Sequence, residues 1–80
     1  GLTRKTAGTL VRVGEDDIYE NGVIFHEMIV NIYEDMAPEG ERRFLIEPAM
    51  PLDTALIGRD VAVTSHDKVV LAVELLGAKV

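Results

Sequence analysis

The sequence predicts a mainly β domain: a small five-stranded β-barrel with one short helical turn near residues 51–57. Three observations support this fold class. Apolar and polar residues alternate in several short runs, these runs are rich in β-branched residues, and Gly, Pro, Asn and Asp separate them. The 80 residues, 48% apolar and 28% charged, fit a single domain over residues 1–80. The first residue, Gly1, is compatible with excision from a longer chain. Residues 1–8 are expected to form a flexible N-terminal tail.

Five runs are predicted to form strands. Val23–Glu34 is the longest, and its β-branched and aromatic residues favour extended backbone. Because apolar residues occupy both of its faces, we expect this strand to bend, with a bulge near His26-Glu27. The other predicted strands are Thr9–Val13, Arg42–Glu47, Asp60–Thr64 and Val69–Leu76.

Turn-forming residues predict the connections. Asn21-Gly22 predicts a tight turn, because both residues tolerate positive φ. Pro38 and Gly40 predict the tip of a hairpin at Ala37–Gly40. The segment "PLDTALIG" predicts one or two helical turns, with proline at its start and glycine as its terminator.

The last two strands form the stretch "DVAVTSHDKVVLAVEL", which alternates on both sides of a polar break. Val61 and Val63 can share a buried face with Val69 and Leu71 if Val63 lies opposite Leu71. This pairing requires an odd-numbered loop, such as residues 66–68. We therefore predict a closing hairpin with a three-residue loop.

The order of three strands, a short helical turn and two strands resembles the layout of small β-barrels of the OB-fold or SH3-like type. The resemblance is architectural, covers most of the chain and includes no family motif, so it implies a fold and not a function. A β-sandwich fragment and a swapped dimer are the alternative architectures.

The residue types predict no catalytic, metal or cofactor site. The chain has no cysteine, which excludes disulfides, thiol nucleophiles and thiolate zinc sites. Ser65-His66-Asp67 are consecutive, and residues in one turn rarely reach triad geometry, so turn roles are expected for them. His26 and His66 lack a ligand spacing, and the acidic clusters around Asp16 and Glu34 lack that of a calcium loop. We expect no enzymatic activity.

The expected compartment is the cytoplasm, without membrane association. No apolar run approaches the 18 or so residues of a membrane span, and the first residues lack the apolar centre of a signal peptide.

A non-catalytic binding or assembly module is the first predicted function. Such a module would self-associate or dock on a protein partner or a neighbouring domain. Small domains without disulfides often gain stability by association, and surplus apolar strand surface commonly marks an interface. The candidate interface residues are Leu10, Phe25, Val70, Ala72 and Leu76.

An OB-type nucleic-acid-binding domain is the alternative function. Its candidate contacts are Arg12, Arg42, Arg43 and Tyr33. A net charge of -6 repels phosphates at long range, and only 5% of residues are aromatic, so nucleic acid is the less favoured partner.

Overall fold

The computed structural model describes residues 2–34 and 37–77. As predicted, the described chain is mainly β. A short 3-10 helix, Thr54–Leu56, lies between the fourth and fifth strands. The strands are β1 (Thr3–Val13), β2 (Ile18–Glu20), β3 (Val23–Glu34), β4 (Ala37–Ile46), β5 (Asp60–His66) and β6 (Val69–Leu75).

Five of these strands form a ring. Strand β1 pairs antiparallel with both β3 and β5, β3 pairs with β4, and β5 pairs with β6. A short parallel contact between β4 and β6 completes the ring, where Leu45 lies opposite Val69 and its N–H donates to the carbonyl of Lys68 at 2.8 Å. Strand β2 pairs only with β3, outside the ring.

Strand β1 begins at Thr3, so the prediction of a flexible tail over residues 1–8 is wrong for Thr3–Gly8. These residues pair with β5 along their whole length, from Thr3 opposite His66 to Gly8 opposite Val61. The segment lacks an apolar alternation because most of its side chains are exposed. Backbone hydrogen bonds to β5 hold it extended instead.

Gly8 is the point where β1 meets two strands at once. It lies opposite Ile32 of β3 and Val61 of β5. A Cβ atom on Gly8 would lie 2.5 Å from the carbonyl oxygen of Asn31 and 2.9 Å from the Cα of Ile32. Only glycine permits so close a crossing of two backbones. From Gly8 towards Thr3, β1 remains paired with β5 but no longer with β3, so the ring opens at this end.

The long strand β3 bends without the bulge predicted near His26-Glu27. Those two residues pair regularly with Ile46 and Leu45 of β4. The irregularities lie between Leu10 and Arg12 in β1, and in the β3–β4 ladder next to Ile32. One irregularity therefore lies next to Ile32, the residue opposite Gly8, and the other lies in β1 beyond Gly8.

The β3–β4 hairpin is longer than predicted. Strand β4 starts at Ala37, which lies opposite Glu34, so the predicted tip at Ala37–Gly40 belongs to a strand. The two residues that connect the strands, 35–36, lie outside the described part of the chain. Pro38 is tolerated in β4 because β6 contacts β4 only at Leu45, and no ladder partner therefore needs an N–H at Pro38 on that side.

The β5–β6 hairpin has a two-residue loop, Asp67-Lys68, and not the predicted three-residue loop. His66 lies opposite Val69, and Asp67 adopts the positive φ of 56° that such a tight turn requires. Val63 lies opposite Val73, so the predicted pairing with Leu71 is also wrong.

A β-bulge in β6 compensates for the short loop. Thr64 pairs with Ala72 and Ser65 pairs with Val70, which leaves Leu71 without a partner. The extra residue reverses the phase of β6 beyond Leu71, so Val73 packs against the same core as Val70. Val70 is 1% exposed, whereas Leu71 is 51% exposed. An even loop with a bulge thus buries the valines of β5 that an odd loop was expected to bury.

The core fills the inside of the ring. Three of the five candidate interface residues, Leu10, Phe25 and Val70, are buried, so assigning them to an exposed surface is wrong. Ala72 and Leu76 are exposed. The core cluster consists of Leu10, Met28, Val30, Ile32, Phe44, Ile46, Val61, Val63 and Val70.

Two local predictions are confirmed. Asn21 and Gly22 have φ of 51° and 79° and connect β2 to β3. The predicted helical turn is the 3-10 helix, which Asp53 caps by accepting a hydrogen bond from the N–H of Ala55 at 2.9 Å. Within residues 2–34 and 37–77, no helix has the length and hydropathy needed to cross a membrane.

Candidate functional site: a basic cleft at the open end of the ring

The candidate site is a cleft at the end of the ring where β1 separates from β3. It consists of two adjoining hollows, each of about 410 Å³. Arg4, Thr6 and Arg42 line both hollows, which makes the cleft continuous. Arg4 and Thr6 come from the part of β1 beyond Gly8, and Arg42 comes from β4. The fork at Gly8 therefore creates the cleft.

Positive charge is concentrated in this basic cleft. The first hollow is lined by Arg43 and Lys68 in addition to Arg4 and Arg42, and the second by Lys5. These are five of the eight Lys and Arg residues of the chain. Among the side chains that the structure describes, Asp67 is the one carboxylate in the lining. The cleft therefore carries a local charge opposite in sign to the net charge of -6.

Two of these cations have carboxylate partners. Lys5 Nζ lies 3.3 Å from Glu74 Oε1, and Arg43 Nε donates to Glu27 Oε2 at 2.9 Å. Both pairs are exposed, and such pairs are weak in water and screened by salt. A ligand phosphate can compete with them.

The first hollow reaches down to Phe44 and Ser65 of the ring interior. Ser65 is 1% exposed, and its Oγ has no hydrogen-bond partner among the described residues. The expectation that Ser65 forms a local turn bond is therefore wrong. A buried hydroxyl without a partner is costly to a fold and is a donor that a ligand can use.

The second hollow contains an aromatic ring. Tyr33, at the end of β3, is 50% exposed and lines this hollow beside Ile32 and Arg42. Half-exposed rings next to guanidinium groups are suited to stacking on planar ligand groups.

A separate charged cluster lies on the outer surface of β1, β3 and β4. The carboxylate of Glu27 accepts from Arg12 Nη1 at 2.8 Å through Oε1 and from Arg43 Nε at 2.9 Å through Oε2. Hydrogen bonds from Arg12 and then Arg43 hold the pKa of Glu27 below its ordinary value of 4.5. Ile29 lies opposite both arginines in the ladders and is buried, since arginine stems can cover apolar surface.

Glu27→Gln is expected to reduce the acid sensitivity of the fold. The pKa of Glu27 is lowered in the folded state. Its contribution to the free energy of unfolding is therefore complete above about pH 4.5 and is lost as the pH falls through the lowered pKa. The difference between urea midpoints at pH 7 and pH 3 should therefore be smaller in the variant. Glu47→Gln, at an exposed glutamate, makes the same change in formal charge and serves as the control. Equal pH dependence in both variants would contradict the expectation.

The structure brings three of the four predicted nucleic-acid contacts together. Arg42 and Arg43 line the first hollow, and Arg42 and Tyr33 line the second. Arg12 lies outside the cleft, bound to Glu27. Sequence reasoning did not assign Arg4 and Lys5 because it placed them in a tail. The sequence signal for a strand in this segment is weak: the run "TRKT" has a β-favouring threonine at each end.

The two histidines each lie near an aspartate. His26 Nε2 lies 3.0 Å from Asp17 Oδ1, which provides a partner for this histidine at the edge of the core. Ser65 is buried whereas its neighbour His66 is exposed on the other side of β5, so the two cannot form a triad pair. No group of three metal-ligating side chains occurs within residues 2–34 and 37–77.

The chain matches no protein-family model, and comparisons with curated proteins and with solved structures find no significant match.

Proposed function

We propose that the chain is a non-catalytic binding module whose basic cleft takes the sugar-phosphate backbone of single-stranded nucleic acid. One observation carries the proposal. Five of eight cationic residues surround one continuous cleft in a chain whose net charge is -6. Two of these cations have carboxylate partners, and the convergence of the other three in one cleft supports an anionic ligand.

The topology supports the same proposal. We assign the five-strand ring to the OB type, because its third and fifth strands are parallel neighbours and a short helical segment joins its third and fourth strands. The resemblance to OB-type barrels favours single-stranded ligands, which these barrels bind with cationic grooves and stacking rings.

A single strand fits the cleft better than a duplex does. The hollows are small and lie between strands, whereas a duplex presents its phosphates on a broad convex surface. Tyr33 can stack only on a base that is not already paired and stacked. The cleft has room for only a few phosphates, and the net charge opposes the ligand at long range, so affinity should be modest and should fall with salt by a logarithmic slope of about 0.7 for each phosphate contacted.

Charge reversal in the cleft tests the proposal. Fluorescence anisotropy with a labelled single-stranded DNA of mixed sequence should show binding at 50 mM salt. The double variant Arg4→Glu/Arg42→Glu is expected to weaken this binding by at least about 100-fold, because it turns two attractive phosphate contacts into repulsive ones. The logarithmic salt slope should also fall by about 0.7 for each phosphate contact removed.

Arg59→Glu provides the matched control. Arg59 is exposed and does not line the cleft, yet its reversal changes the net charge in the same direction. Doubling this control with Arg12→Glu, at a second arginine outside the cleft, equalises the total charge change. Equal loss of binding in the two double variants would mean that binding is a nonspecific effect of net charge, and no binding by the wild type would contradict the proposal outright.

A protein-assembly role is the second proposal. Because three of the candidate interface residues are buried, the surface proposed for it is smaller than the one the sequence predicted. Leu71 and Leu76 are exposed large apolar residues, and Ala72 between them is also exposed. This surface lies on and after β6. A second copy of the chain or another protein could cover it.

A further inference from the structure

We propose that the first hollow of the basic cleft is a subsite for a terminal phosphomonoester, so that the module binds the phosphorylated end of a nucleic-acid strand in preference to its interior. This inference rests on the proposed function and specifies which part of the ligand is recognised.

The position of Ser65 is the first support. Ser65 is one of the residues that line the first hollow, and its hydroxyl is buried and without a partner among the described residues. An internal phosphodiester is flanked by nucleosides on both sides and cannot descend to a buried floor. A terminal phosphate is attached on one side only and can enter with three free oxygens. Serine side chains occupy several staggered χ1 positions, and we expect Ser65 to use one that directs its hydroxyl towards such an oxygen.

The cations around the mouth are the second support. Arg4, Arg42 and Lys68 line the first hollow together with Ser65 and Phe44, and they outnumber the one carboxylate described in this lining, Asp67. A phosphomonoester carries a charge of about -1.5 to -2 at pH 7 and offers three strong acceptor oxygens. A diester carries a single charge. Three cationic side chains at one small hollow therefore fit the monoester better, and arginine can bind it with two hydrogen bonds at once.

The second hollow places a base next to this phosphate. Arg4 and Arg42 line both hollows, so a group bound over Tyr33 is the immediate neighbour of a group bound above Ser65. A terminal nucleotide has the same arrangement, with the phosphate on one side of the sugar and the base on the other. The cleft thus has room for one phosphorylated terminal nucleotide, with the strand leaving past Tyr33.

The test compares strands that differ only at their ends. Four single-stranded DNAs of one sequence carry a 5′-phosphate, a 3′-phosphate, both or neither, with the fluorophore attached to an internal base. Anisotropy titrations should show that one phosphorylated end raises affinity about tenfold or more over the unphosphorylated strand, the scale of one charge-assisted hydrogen bond. The 5′ and 3′ arms identify which end enters.

Ser65→Ala separates recognition of the end from general attraction. The ratio of the affinities for the phosphorylated and the unphosphorylated strand should fall by about fivefold or more in this variant. Its melting temperature should be at least that of the wild type, since the hydroxyl removed has no partner among the described residues. Thr64→Ala, next along β5 and facing the other way, is the matched control and should retain the full preference.

Three outcomes are distinguishable. Preference for a phosphorylated end that depends on Ser65 supports the inference. Equal affinity for all four strands overturns it and leaves the proposed function intact. Absence of binding to any strand overturns both.

Discussion

Replacing Gly8 with alanine is expected to destabilise the domain by about 3 kcal/mol, which lowers Tm by roughly 15 °C for a domain of this size. The added Cβ would lie 2.5 Å from the carbonyl oxygen of Asn31 and 2.8 Å from Val30 Cγ1. The nearest obstruction is backbone, which cannot rotate away as a side chain can. Strands β1 and β3 must therefore move apart at Gly8. Thermal unfolding followed by circular dichroism measures the effect.

Gly14→Ala is the matched control for this prediction. Gly14 also lies at the β1–β3 boundary, and its N–H donates to the carbonyl of Glu27 at 2.8 Å. A Cβ there would lie 3.6 Å from the Cβ of Glu27, which is an ordinary contact. We expect a change in Tm of only a few degrees. If the two alanine variants melted alike, the close crossing at Gly8 would be wrong.

Val70→Lys is expected to abolish cooperative folding, because it places an ammonium group inside the core. Val70 is 1% exposed and belongs to the core cluster. Burial of an unpaired charge costs several kcal/mol, and a domain of this length has a total stability of only about 4–12 kcal/mol. The variant should therefore lose most of its native population at neutral pH. Urea unfolding and hydrogen exchange would both show it.

Leu71→Lys is the matched control, one residue along the same strand. Leu71 is 51% exposed and has no ladder partner in β5. Its replacement should change the free energy of unfolding by less than about 0.5 kcal/mol. The same variant tests the second functional proposal, since sedimentation should show weaker self-association if β6 forms an interface. Two variants of equal stability would contradict the register of β6, which buries Val70 and exposes Leu71.

Local sequence features predicted much of the fold. Asn21-Gly22 needs only its own two backbones to define a turn, and Asp53 needs only the N–H two residues ahead to cap a helix. The span of β3 was predicted to the residue because a β-branched run between two breaks is also a local signal.

The sequence did not determine which residues of β5 and β6 lie opposite each other. A two-residue loop and a three-residue loop both suit "SHDKV", and a bulge at Leu71 makes the shorter loop compatible with burial of Val63. Alternation of apolar residues cannot distinguish an odd loop from an even loop with a bulge, because both place the same faces together.

The basic cleft was partly predictable. Arg42, Arg43 and Tyr33 were named because they are the residue types that bind nucleic acid. Their connection with Arg4 and Ser65 depends on pairings between strands far apart in the chain, and no local pattern encodes such pairings. The burial of the Ser65 hydroxyl was not predicted, because a serine before a turn normally forms its hydrogen bond within the turn.

The pairing of β1 with β5 has a consequence for synthesis on the ribosome. Thr9 and Asp60, which lie opposite each other and share a 3.1 Å hydrogen bond, are 51 residues apart in the chain. When β3 has emerged from the ribosome, β1 can pair along one edge, but its other edge has no partner until β5 follows. During that interval the nascent chain has an unpaired strand edge beside an unfinished core. Closure of a loop this long also slows folding. The charged and hydroxyl side chains of residues 3–6 lie along this unpaired edge of β1, where charged side chains disfavour pairing with another chain.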